Sequence, residues 1–351
     1  MKKILVFIVV IGMLALGGVL GYKIYKDKIE FLKVEGTEKN ENSLSEEIEE
    51  KKEEKVPEKT VNIFKGEDRP IAVMIDNHSG AWPQAGLQQA YMVYEIIVEG
   101  GETRLMALFK GADVDKIGPV RSSRHYFLDY AMENDAIYVH YGWSPQAESD
   151  ISTYRVQNIN GIVQSSSDFW RIKDKKSPHN VLTSTEKIKE MAEKKGYGLT
   201  SSTKSVLNYV TDEVNLEDGE EATNVKIPYS TLQNVEYNYN EENKVYERTA
   251  RGKEQKDYET KEILTTKNII IEFAENYTLN DSENKGRQGI KNTGTLDGYY
   301  ITNGKAIKIK CIKNSRTDKT VYKDLNGEEI KVNDGNTWVQ ICPKDSEATF
   351  N

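Results

Sequence analysis

The first 22 residues, MKKILVFIVVIGMLALGGVLGY, are two lysines followed by an apolar run that carries no charge. At about 18 residues, the run is near the shortest that crosses a bilayer as one helix. It has no polar side to turn toward water, as a helix packed on a soluble core would need. Residues 1–23 are therefore expected to be a transmembrane signal-anchor, and everything after them must fold as a tethered body. Lys2 and Lys3 precede the run and Lys23, Lys26 and Lys28 follow it, so the positive-inside rule is close to a tie. The short basic start, apolar core and long polar remainder have the layout of an export signal, and Ala15-Leu16-Gly17 is a weak cleavage match. An uncleaved anchor in the cell membrane with an extracytoplasmic body is the expected topology. Cleavage with release, or a cytoplasmic body, are the alternatives. The cysteines are Cys311 and Cys342, neither near the run, so a lipid-linked cysteine anchor is not expected.

Beyond the anchor, residues 24–62 include ENSLSEEIEEKKEEKVPEK. This stretch has too few apolar side chains to offset the entropy of ordering it, and is expected to be a disordered acidic linker. The whole chain carries 48 basic and 56 acidic residues, a net charge of -8, which argues against a nucleic-acid partner. Two cysteines cannot make a zinc site alone. They allow either one disulfide in an exported body or two free thiols packed as small apolar groups. His78, His125, His140 and His179 lie in separate segments without metal-ligand spacing, so no metal and no cofactor are expected.

The body reads as α+β: a mixed α/β domain over 63–200 carrying the candidate site, then a β-rich domain over 201–351. IAVMIDN predicts a buried strand, and YMVYEIIVE and TRLMALFK predict two more joined at Gly100-Gly101 as a hairpin. Alternation puts Glu95 and Glu99 on one face of the YMVYEIIVE strand, with Tyr94, Ile96 and Val98 on the other. After the Gly118-Pro119 turn, Ser122 or Ser123 is expected to cap a helix to about Met132, with Arg121, His125 and Asp129 near one stripe. DAIYVHY predicts a strand, GWSPQAES a short helix or loop, and 161–165 a further strand. Thr183 opens a capping box with Glu186, and the helix that follows stops at Gly196. The second half alternates at period two. Asn303-Gly304 and Asn326-Gly327 in it are type I′ hairpin signals.

Several of these pieces agree with one family. RPIAVMIDNH, VYEIIVEGGETRLMALF, IGPVRSSRHYFLDYA, YVHYGWSP and SPHN, followed by the β-rich stretch from DGYYITNGKAIKIKC to NTWVQICP, resemble the YerB family of bacterial extracytoplasmic proteins. Cys311 stands where a large aromatic is expected in similar sequences. The resemblance implies a membrane-tethered body that faces the cell wall. It brings no chemistry with it.

The residues themselves permit two readings. Cutting a wall glycan between sugars needs a protonated carboxyl at the bridging oxygen. A lytic transglycosylase can use one, kept protonated by apolar surroundings. Glu95 and Glu99 are the candidate catalytic residues for such an enzyme acting on peptidoglycan glycan strands. Arg104, Arg121, Arg124, His140, Arg171, His179 and Asn180 are the candidate substrate-binding residues, and Trp82, Trp143, Phe169 and Trp170 are candidates to stack on sugars. Alternatively, the carboxylates are structural, with Glu95 paired to Arg104, and the protein is a non-catalytic wall-binding module or scaffold that positions envelope protein partners. A metal hydrolase built from His78, His140, His179 and Asp76 or Asp129 is a minor alternative. A groove holding Glu95, Glu99 and Arg104 favours an enzyme; burial of all three as a closed ion-pair network favours a scaffold.

Overall fold

The structure is a computed structural model that describes residues 60–351 except 64, 65 and 282. The expected signal-anchor (1–23) and nearly all of the expected linker (24–62) lie outside the described residues. Among the described residues, no helix is long and apolar enough to cross a membrane.

The body is mostly β, with three α-helices among the described residues. Its centre is Ile71–Asp76 (β1), Met92–Ile97 (β2) and Thr103–Phe109 (β3), buried at every position. Continuous apolar runs of this kind belong to strands covered on both faces. β2 and β3 form the expected antiparallel hairpin, and β3 pairs antiparallel with β1. Ile137–His140 (β4) and Asn158–Asn160 (β5) extend the sheet in parallel beyond β1. The helices are His125–Glu133 (α1), Pro145–Thr153 (α2) and Thr185–Lys194 (α3).

The second half adds Asn224–Pro228 (β6), Asn234–Asn240 (β7), Val245–Ala250 (β8), Asn268–Thr278 (β9), Gly294–Thr302 (β10), Lys305–Lys313 (β11), Val321–Asp324 (β12) and Thr337–Pro343 (β13). One 12-stranded sheet runs β12-β11-β10-β9-β13-β2-β3-β1-β4-β5, with two short strands on its margins. Its seam is the parallel pairing of β2 with β13, which places Glu95 beside Gln340. β6, β7 and β8 belong to a separate six-stranded sheet.

The two faces of the main sheet bury two cores. Val73, Ile75, Val93, Ile97, Leu105 and Ala107 pack with Val225, Val235, Tyr237 and Tyr246 of the smaller sheet. Ala72, Met74, Tyr94, Ile96, Met106 and Leu108 pack with Tyr126, Phe127, Leu128 and Tyr130 of α1. At about 25 cal/mol per Å² of apolar surface, these two layers are the main stabilisation.

Local differences from the sequence reading have identifiable causes. Arg124 sits at the α1 N-cap without a side-chain cap, so neither Ser122 nor Ser123 caps the helix. Arg121 precedes the helix and forms no stripe with His125 and Asp129. Ser184 rather than Thr183 caps α3, accepting from the Lys187 N–H, and Gly196 follows the helix at φ 72°. The expected strand at 161–165 is instead a short 3₁₀ turn at Gly161–Val163, because Ile162 and Val163 point outward, 57% and 73% exposed. Asn303 and Gly304 both take positive φ between β10 and β11, as a type I′ turn requires. At Asn326-Gly327 only Gly327 does, because Asp324 Oδ1 accepts the N–H groups of Asn326 and Glu328 and sets a longer loop.

Candidate functional site

Antiparallel register puts directly opposed residues on one face, so β1–β3 sort their polar groups cleanly. Glu95 opposes Leu105, whereas Arg104 opposes Asp76 and Ile96. Glu95 and Arg104 therefore point to opposite sides of the sheet, and the expected pairing between them does not form.

Glu95 is fully buried on the side of the smaller sheet. Its Oε2 accepts from Arg248 Nη2 of β8 at 2.6 Å. Its Oε1 accepts from Asn77 Nδ2 (3.1 Å), Thr103 Oγ1 (2.7 Å) and Gln233 Nε2 (3.1 Å). Arg248 is itself buried, lies 4.1 Å from the Trp338 ring centroid and donates to Gln255 and Tyr237. Gln84 and Gln255 continue the network to Asn77. Four donors, one of them a guanidinium, thus occupy this carboxyl, and it has no face open to a glycan. Sequence reasoning missed Arg248 because 153 residues separate it from Glu95.

Glu99 is not on the β2 face with Glu95. β2 ends at Ile97 and Glu99 opens a 3₁₀ turn. Its Oε1 accepts from Arg124 Nε at 2.8 Å and Nη2 at 2.5 Å. Burial raises this carboxyl, but Arg124, and then Arg104, outweigh burial and hold it below the usual range. Glu102, which ends the same turn, pairs with Arg251.

The other face gathers charged groups at the carboxyl end of β1. Asp76 is buried; its Oδ1 accepts the His78 N–H at 3.0 Å, and its Oδ2 meets His179 Nδ1 at 2.7 Å. Arg121 Nε lies 3.0 Å from the same oxygen, but its N–H is out of line and makes no hydrogen bond. The His78 and His179 rings stack at 4.4 Å and 13°. His78 Nδ1 accepts the Gly80 N–H, so that ring is the neutral Nε2–H tautomer. Arg104 Nη1 donates to the Ser122 carbonyl at 2.6 Å. Of the predicted residues, Arg104, Arg121, Arg124, His179 and Glu99 thus come together, and Asp76 and His78 join them. Asp76 is legible as a strand-terminal aspartate, but its partners come from three segments.

Beside this cluster runs an apolar ledge. A Cβ on Gly142, which has φ +81°, would meet Ile162 Cδ1 at 3.0 Å and Ser122 Oγ at 3.4 Å. The ledge comprises Ile162, Val163 and the 36%-exposed Trp143, whose backbone bridges to Ser123. The exposed apolar residues that defeat a strand at 161–165 therefore flank the loop that receives Arg104.

The remaining predicted residues have other partners. His140 is fully buried, with its nitrogens on the Gly142 carbonyl and Asn158 Oδ1, and burial lowers its pKa. Asn180 Oδ1 accepts from Arg171, while its amide holds the Ile172 and Lys175 carbonyls. Both side chains therefore brace their loop. Trp82 donates to Asn77 and belongs to the Glu95 side. Asp129 pairs with Arg316, so the metal alternative loses Asp129 and His140. No group of three metal-ligating residues occurs among the described residues. Cys311 and Cys342 are free and buried, and burial pushes both thiols up. An open groove of about 660 Å³, lined in part by Phe273, Lys291, Tyr299 and Thr349, shares no residue with the charged cluster.

Residues 58–198 match the N-terminal domain, and residues 225–339 the C-terminal domain, of a family described as a protein of unknown function, DUF3048. YerB of Bacillus subtilis strain 168, a presumed lipoprotein by its name, is 34% identical over 288 residues, or 79% of this chain and 82% of that protein. The crystal structure of YerB from Bacillus subtilis matches with a TM-score of 0.72 at 34% identity, over 81% of this chain and 94% of that one. With both domain models matched in order, the chain belongs to the YerB family, DUF3048.

Proposed function

We propose that the protein is a membrane-associated, extracytoplasmic module that binds peptidoglycan without cleaving it and positions other envelope proteins. The observation that carries this reading is the state of Glu95, sealed with Arg248 and three neutral donors and fully buried. A transglycosylase acid has to be in reach of a glycosidic oxygen; Glu95, with no exposed surface, is not. Glu99, held below the usual carboxylate range by Arg124, is no better placed as a donor. What the surface offers instead is guanidinium groups next to an apolar ledge, at the carboxyl end of strands that run parallel, where open sheets commonly place ligands. The relative's description as a presumed lipoprotein supports an extracytoplasmic setting. This chain has no cysteine before Cys311, so its tether would be the apolar segment itself.

Incubation of the protein with purified peptidoglycan tests the reading. Co-sedimentation with the wall and no new soluble fragments is the expected result. Release of fragments with anhydro-muramyl ends would restore the enzyme reading, and failure to sediment would remove the wall as the partner.

A further inference from the structure

Arg104 is 7% exposed, yet it forms no ion pair among the described residues, and the Ser122 carbonyl is its one hydrogen-bond acceptor there. A guanidinium has five N–H donors in a rigid fork, and a buried charge without a counter-charge is costly. The carboxylates nearby are turned elsewhere. Asp76 is engaged by His179, the His78 N–H and Arg121. Glu99 is engaged by Arg124. Arg287, 3.9 Å from Glu99, is matched by Asp281 and Glu283. Arg121 adds an Nε–H that is buried and lacks an acceptor. Burial, and then Arg124, depress Arg104 to about 10, which still leaves it cationic at neutral pH. Arg104 is thus the one guanidinium of this group, among the described residues, that no carboxylate engages directly.

We infer that Arg104 and Arg121 form a binding site for an oxyanion carried on a wall polymer, with the Trp143–Ile162–Val163 ledge packing against the group that bears it. This rests on the wall-binding reading and adds the ligand chemistry. The free N–H fork of a guanidinium suits the paired oxygens of a carboxylate or a phosphodiester. Two wall components carry such a group: the carboxylates of muramyl-peptides and the phosphodiesters of polyol-phosphate chains.

The test uses the full chain in detergent, as wild type, Arg104→Gln and the off-site control Lys308→Gln, an exposed position of β11. Thermal unfolding is followed with and without a muramyl-peptide or poly(glycerol phosphate), and sedimentation with whole wall is measured in parallel. One of the two probes is expected to raise the wild-type Tm, as a ligand specific for the native state must, and its identity names the source. Arg104→Gln is expected to lose that shift, with affinity lower by about 10- to 100-fold, the weight of one or two charge-assisted hydrogen bonds. Lys308→Gln should retain it. Without ligand, Arg104→Gln should melt at or above the wild-type temperature, because it removes an unpaired buried charge; a purely structural arginine would lower Tm. A wild-type Tm unmoved by both probes, equal shifts in wild type and Arg104→Gln, or a lowered Tm of the free variant would each overturn the inference. If a probe binds through Arg104 but the protein does not sediment with wall, the wall-binding reading fails and the oxyanion site stands. If wall binding persists unchanged in Arg104→Gln, the reverse holds.

Discussion

Two adjacent positions on opposed strands, Glu95 and Arg104, carry charges that never meet, and their different partners give them different behaviour. For Glu95 the counter-charge is Arg248. Arg248→Met leaves a buried carboxylate without it and is expected to cost about 3–5 kcal/mol in urea unfolding. Adding Glu95→Gln to that variant should recover much of the loss, because the pair is then replaced by neutral groups rather than broken. A double variant no more stable than Arg248→Met would show that the surrounding donors, not the ion pair, set the stability. Glu272 supplies a pH test. It is buried, accepts from Tyr322 Oη at 2.6 Å and Tyr130 Oη at 3.4 Å, and burial pushes its carboxyl up to about 7. In the unfolded chain a glutamate titrates at about 4.3. Between these values the folded state holds more protons, so stability should fall as pH rises from about 4.3 through about 7 and then level off. Glu272→Gln is expected to flatten that slope and to be the more stable protein at pH 8, by on the order of 3 kcal/mol. Parallel stability–pH curves for the two proteins would refute the assignment.

Among the elements, the hairpin between β10 and β11 was readable from two residues, and the start of α3 to within one residue, its cap being Ser184 rather than Thr183. Gly304 is at φ 75°, and a Cβ there would meet the Tyr239 ring at 3.2 Å. Gly304→Ala should therefore cost about 1–2 kcal/mol, the penalty of a left-handed L-residue. Ser184→Ala removes the oxygen that accepts the Lys187 N–H and should cost about 1 kcal/mol. Both are measurable as shifts in the urea midpoint at constant slope. Turns and caps are legible because their partners lie within four residues. The 161–165 stretch misled because alternation reports apolar content, and here Ile162 and Val163 serve a surface ledge rather than a core.

At the scale of the whole body, residues 58–351 form one compact unit, and the main sheet takes strands from both family-matched regions. β2 loses a parallel neighbour without β13, and Glu95 loses its counter-charge without β8. A chain cut after residue 200 is therefore expected to show no cooperative unfolding transition, while residues 58–351 show one. A cooperative melt of the shorter piece would mean that the seam between β2 and β13 is an accessory contact.

The sequence by itself determined the identity of the central strands, the β2–β3 hairpin, two of the three helices to within a few residues, the Asn303-Gly304 turn and the family. All of these follow from periods of 2 or 3.6 residues and from near-neighbour chemistry. It also named most of the charged residues now gathered at the end of β1. Only the tertiary structure decided which charges pair. Strand register turned Glu95 toward Arg248, far along the chain, and turned Arg104 away from it. The loop after Gly118 brought Arg121 to Asp76, and the loop holding His179 completed the cluster. Pairing energies depend on burial and on distances of a few ångströms between residues over a hundred positions apart, and no local pattern records them. The candidate acid is therefore enclosed with Arg248, while the arginine expected to pair with it donates to the Ser122 carbonyl on the other face.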